Sequence, residues 1–132
     1  MYCRSAFLIA FVAALSVGGC GKSPSSQSQQ GLFLPPTDFV ANAQKGERLF
    51  NEYCSHCHGR GAKGTNMGPP LVHRFYKPAH HNDMSFYMAA KRGVRHHHWN
   101  FGDMPPVQGV SASEMGHIIA YVRRQQQRAG IQ

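Results

Sequence analysis

The run Cys54-Ser-His-Cys57-His58 constrains this chain more than any other stretch of it. Two thiols three residues apart, followed at once by an imidazole, suit one task well. Each thiol can add to a vinyl group of a porphyrin, and the histidine can then reach the iron from the same side. Cys54 and Cys57 are therefore expected to carry one covalent haem c, with His58 as its proximal ligand. A zinc site needs a second pair of ligands at matching spacing, and a redox dithiol of the thioredoxin type needs a βαβ pattern around it. The chain offers neither.

The amino terminus reads as an address. Arg4 precedes an apolar run from Ala6 to Val17, which is too short to cross a bilayer and suits a secretory signal over residues 1–19. Leu15-Ser16-Val17-Gly18-Gly19-Cys20 resembles a bacterial lipobox, with Cys20 as the lipid attachment site; the other reading is an ordinary signal cut nearby. Removing Cys3 with the signal leaves Cys20, Cys54 and Cys57, so one lipid and one haem account for every remaining thiol. Residues 20–36 are expected to form a lipid-anchored flexible tether. Its stretch 21–31 lacks large apolar side chains, and Leu32 to Pro36 is a short apolar, proline-ended entry expected to pack on the domain without regular structure. This route implies the periplasmic side of a bacterial membrane, with Gly21 pointing to the outer one. Without Arg4 there remain 13 Lys and Arg against 6 Asp and Glu, a formal +7. Such a surface suits acidic redox partners or lipid headgroups, and the compartment excludes nucleic acid.

The folded part, residues 37–132, has room for one domain with one modest core. A first helix is expected from Asp38 or Phe39 into the haem motif, capped by Thr37 or Asp38. Phe39, Ala43, Gly46, Phe50 and Tyr53 make one face of it. Glycine is costly inside a helix, so Gly46 marks a close approach by another helix. Ser111-Ala-Ser-Glu114 is a capping box that opens a last helix, with Met115, Ile118, Ile119 and Val122 as its stripe and Tyr121 on the shoulder. Arg123, Arg124 and Arg128 suit its negative end, and Gly130 stops it. A helix between the two runs from Asn82 or Asp83 to about Arg92, closed by Gly93. No stretch alternates long enough for a strand, so the fold class is all-α.

These residues together resemble the class I bacterial cytochromes c, small helical proteins with a single haem, over about Asn42 to Arg124. The pieces are Gly46-x-x-Leu49-Phe50, Cys54-x-x-Cys57-His58-Gly59, Gly68-Pro69-Pro70-Leu71, Gly102-Asp103-Met104-Pro105-Pro106 and Ile118-x-x-Tyr121. The resemblance implies crossing terminal helices, with Gly46 and Phe50 against Ile118 and Tyr121. It implies that the Pro69 carbonyl accepts a hydrogen bond from the proximal imidazole. Met104 is the expected distal ligand, a soft thioether that raises the reduction potential, held in a loop stiffened by Pro105 and Pro106. Met67 is its rival; Met84, Met88 and Met115 fall on helix faces and are expected in the core.

A histidine as distal ligand is the other option, since His96-His97-His98 lie close before Met104. That run could also bind copper or zinc; a solvated, hydrogen-bonded loop is the reading preferred. Trp99 is expected either to cover a haem edge, with its indole N–H in reach of a propionate, or simply to pack in the core. With both axial positions filled, the expected function is an electron carrier, not an enzyme, with Lys63, Lys77, Lys91 or Arg95 orienting acidic partners. The alternatives are a haem enzyme or ligand sensor with a displaceable Met104, a subunit of a particular oxidoreductase, and copper handling.

Overall fold

The computed structural model describes residues 33–132. The expected signal peptide, the expected lipid site Cys20 and the expected tether as far as residue 32 lie outside the described residues.

Two helices cross to make the core. Helix α1 spans Ala43–Tyr53 and α4 spans Ala112–Arg128. Gly46 is the point of approach: a Cβ there would collide with the backbone carbonyl of His117. One turn on, Phe50 is fully buried and its ring centroid lies 5.3 Å from that of Tyr121, with Ile118 1% exposed beside them. Tyr121 is 2% exposed, so it sits inside the core rather than on its shoulder.

The first helix starts later than its cap signals suggest. Asn42, not Thr37 or Asp38, is the N-cap, its side-chain oxygen accepting from the Lys45 N–H at 2.8 Å. The reason is tertiary. Phe39 is drawn onto the His117 ring, 4.8 Å between centroids, and over Gly116, where no Cβ would fit. The Asn42 N–H donates to His117 Nδ1 at 2.9 Å. The entry segment packs on the domain as expected: Phe33 and Leu34 lie against the core, and Phe33 meets Tyr87 edge-on at 6.4 Å.

The bond from Asn42 to His117 has a pH consequence. His117 must keep a lone pair on Nδ1 to accept it, and its pKa is lowered, by burial first and then by Lys45, against an opposing pull from Glu114. A histidine whose folded pKa is depressed stabilises the fold above its unfolded value, and that contribution is lost as pH falls below about 6.5. Thermal melts from pH 7.5 to 5 should show Tm falling with pH. His117→Asn, which cannot titrate, should flatten the part of that slope that His117 carries.

Helix α2, Ser55–His58, follows α1 after Cys54. Helix α3, Asp83–Arg92, begins at Asn82, which accepts from the Ser85 N–H, and ends at Gly93 with φ +74°. Gly93 is required twice over, since a side chain there would also strike the Met104 carbonyl. Val94 and Met104 then exchange backbone hydrogen bonds of 2.9 Å, an isolated antiparallel bridge. Among the described residues there is no longer strand. Met115 is buried and Met88 half-buried, as expected, whereas Met84 is 43% exposed on the outer face of α3.

The carboxyl end of α4 holds the loop that follows the haem motif. Gln126, 1% exposed, donates to the carbonyls of Leu71 and Tyr76 at 2.8 and 3.0 Å and accepts from Arg123 at 2.8 Å. Arg123 also bonds the carbonyls of Tyr76 and His81 and the Asp83 carboxylate. Its role is that of a clamp, beyond the dipole match expected of it.

Candidate haem-binding site

Every helix contributes to one cavity of about 380 Å³, a size suited to a substantial apolar ligand. Its walls are largely hydrocarbon: Phe50 from α1, Phe86 and Ala90 from α3, Ile118 and Val122 from α4, and Leu71 from the loop that Gln126 secures. Cys54, His58 and Met104 bring sulfur and nitrogen to this lining.

Cys54 ends α1 and faces the cavity. Burial, and secondarily Cys57, push its thiol pKa up to about 12. It is therefore a neutral thiol at physiological pH, the reverse of the lowered pKa that a redox dithiol needs. Cys57 stands a turn away, its carbonyl accepting from Thr65 Oγ at 2.6 Å and its Cβ packed against Gly68. Gly59 with φ +72° lets the chain turn after His58 without meeting Gly64.

His58 is buried, and its Nδ1 lies 2.8 Å from the Pro69 carbonyl. A carbonyl only accepts, so Nδ1 carries the proton and Nε2 is left with the lone pair. Burial lowers its pKa, with the Pro69 bond opposing, so the ring is neutral and fit to ligate a metal.

Met104 lines the same cavity, its backbone fixed to Val94 on both sides. Met67 is 49% exposed and takes no part in the lining. Met115 does contribute to the wall, from within the core of α4. Trp99 also faces the cavity, packed edge-on to His73 at 5.0 Å and Phe75 at 5.6 Å. Its indole N–H is buried and makes no well-formed hydrogen bond among the described residues, although the Tyr76 hydroxyl lies close enough to feel it. An orphaned donor in an apolar wall is costly unless the cavity's occupant accepts from it, and a carboxylate-bearing macrocycle would.

The histidine loop divides. His96 turns to Asp103, Nδ1 to Oδ1 2.7 Å, and the two bonds from His96 hold the Asp103 carboxyl below its usual range. His97 and His98 make no bond to Asp103; all three histidines line the cavity, and the His97 and His98 ring centroids are 4.2 Å apart. His81, from the turn ahead of α3, joins them there. Of the expected docking cations, Lys63, Lys77 and Arg95 are exposed, and Lys91 lies over the Phe33 ring at 5.3 Å.

A helical fold closed around an apolar cavity, with the thiol of a Cys-x-x-Cys-His run and a carbonyl-held histidine in its wall, defines a covalent haem protein. The cytochrome c family model matches residues 43–126, from the start of α1 to Gln126 in α4. The chain is 31% identical to cytochrome CL from the marine methylotrophic bacterium Methylophaga aminisulfidivorans, covering 85% of this chain and 73% of that one at a TM-score of 0.52. No curated protein sequence gives a significant match. The chain belongs to the cytochrome c family, with the class I fold and one covalently bound haem c, and its chemistry is haem-based electron transfer.

Proposed function

We propose that the protein is a periplasmic electron carrier in which His58 and Met104 are the two axial ligands. The observation that carries this is the presence of both in the wall of one apolar cavity, with His58 Nδ1 already committed to Pro69. Haem c supplies a one-electron Fe(III)/Fe(II) couple when bound. The chain's own residues do the rest. Cys54 and Cys57 are the points of covalent attachment, and Pro69 fixes the imidazole tautomer and raises its basicity. The hydrocarbon walls exclude water, and the neutral thioether of Met104 favours the reduced state. Trp99 offers its free N–H to a propionate. Lys63, Lys77, Lys91 and Arg95 are exposed cations that an acidic partner would engage. A lipid at Cys20 would hold the domain to the membrane, and Gly21 after it points to the outer one.

The test is an optical spectrum of the haem-loaded protein, with carbon monoxide added to the reduced form. A weak far-red band in the oxidised state, typical of sulfur ligation, together with indifference to carbon monoxide supports the proposal. No such band and prompt carbon monoxide binding would replace it with a haem enzyme or ligand sensor. Mass spectrometry of the membrane fraction checks the anchor, which requires a lipidated Cys20 as the first residue.

A further inference from the structure

The histidines outside the haem ligation gather in a pattern that their order in the chain conceals. Of the run His96-His97-His98, the first is taken by Asp103. Its place beside His98 is filled by His80 and His81, which arrive from the turn ahead of α3. His80 Nε2 and His98 Nε2 are 3.4 Å apart. One ligating nitrogen from each of His80, His81 and His98 lies within 4.8 Å of the others. The His81 ring is oriented by its Nδ1–H, which donates to the Phe75 carbonyl at 2.6 Å and leaves Nε2 with the lone pair. A carbonyl that fixes the tautomer of an imidazole is the usual support of a histidine ligand.

The spacing selects the geometry. Two imidazole nitrogens on one tetrahedral ion at 2.0–2.1 Å stand about 3.4 Å apart. Held that close with no ion, they must share a proton or oppose their lone pairs. We propose that His80, His81 and His98 form a three-imidazole site for a borderline divalent cation of the zinc type, with the fourth position open. No carboxylate is among the three, which excludes the hard oxygen-seeking ions calcium and magnesium. Arg123, whose guanidinium bonds the His81 carbonyl, is paired with Asp83 at 2.8 Å, which moderates its repulsion of an incoming ion. His80 is exposed and gives access from solvent, while His81 and His98 also line the haem cavity. An ion bound there would sit at the cavity's rim, where added positive charge favours the ferrous state.

Calorimetric titration of the haem-loaded protein with zinc chloride at pH 7.5 tests this. One equivalent should bind, and the midpoint potential should rise on binding. His80→Ala removes an exposed ring with no bond to the backbone, so the fold survives it; affinity should drop at least tenfold and the potential should no longer respond. His98→Ala should act likewise, while His96→Ala should change neither. The proposal is overturned if the wild type binds no zinc, if His80→Ala binds it as tightly as the wild type, or if His96→Ala weakens it as much as His80→Ala does. The last result would assign the metal to the contiguous run instead.

Discussion

Met104→Ala is expected to yield a folded, haem-loaded protein that has lost the far-red band of sulfur ligation and binds carbon monoxide when reduced. The loop should survive the change because its shape does not depend on the side chain: Met104 exchanges two 2.9 Å backbone bonds with Val94, and Pro105 and Pro106 follow. Truncating a packed methionine costs about 2–5 kcal/mol, so the variant should melt lower but cooperatively. Replacing the thioether by water or a nearby imidazole should lower the midpoint potential by on the order of 0.1 V, a fraction of the ~0.8 V that axial ligands span. Met67→Ala is the control. Its side chain is half-exposed and off the cavity, so spectrum and potential should stay put. If the far-red band persists in Met104→Ala, the distal ligand is elsewhere, and Met115 in the cavity wall is the next to replace.

The cavity's histidines make a further contrast. His97 and His98 lie at its wall, so a vacated position could be taken by an imidazole in place of water. The two outcomes separate cleanly: an imidazole would suppress the carbon monoxide response, and water would allow it. If His98 is that imidazole, replacing Met104 and His98 together by alanine should restore the response; if His97 is, replacing Met104 and His97 should.

How far the sequence revealed this arrangement depends on the range of the interactions involved. The α3 and α4 boundaries were legible because their signals are local: Asn82 and the Ser111–Glu114 box bond within their own first turns, and Gly93 and Gly130 stop the helices with positive φ. The α1 start was not, because Thr37 and Asp38 are good local caps that lose to Phe39 and Asn42, both drawn to His117 some 75 residues away. Pro69 became legible through the resemblance of Gly-Pro-Pro-Leu to a family pattern, and the 2.8 Å contact to His58 is where that pattern places it. Gln126 was missed although a signal existed. It continues the stripe of Ile118, Ile119 and Val122 at the next four-residue step, and only its polarity suggested solvent. The meeting of His80 and His81 with His98 had no such signal, since it is set by how the loop clamped by Arg123 and Gln126 folds back on the cavity.

Gly46→Ala is expected to destabilise the protein, against the sign that helix propensity alone gives. In an exposed helix interior the exchange gains roughly 1 kcal/mol, because alanine loses less backbone freedom than glycine. At Gly46 the added methyl would collide with the His117 carbonyl, a backbone atom in the middle of α4 that no rotamer change can move aside. Relief requires the two helices to part, which loosens Phe50 from Tyr121 and shifts Cys54, carried at the end of α1, relative to the cavity. Overpacking of this kind costs typically 1–3 kcal/mol and occasionally more, and here it must exceed the propensity gain for the net effect to be a loss. A net loss of about 2 kcal/mol corresponds to a Tm lower by roughly 8–16 °C for a domain of this size. Gly102→Ala separates sterics from backbone strain. Its φ of +84°, unlike the helical backbone of Gly46, is unfavourable for alanine, but nothing lies within 4 Å of the new Cβ, so it should cost only the ~1–2 kcal/mol of a left-handed residue. Thermal melts of the haem-loaded variants decide the matter by sign. A raised Tm in Gly46→Ala would mean that the helices do not touch there, and the crossing that frames the haem cavity would have to be drawn differently.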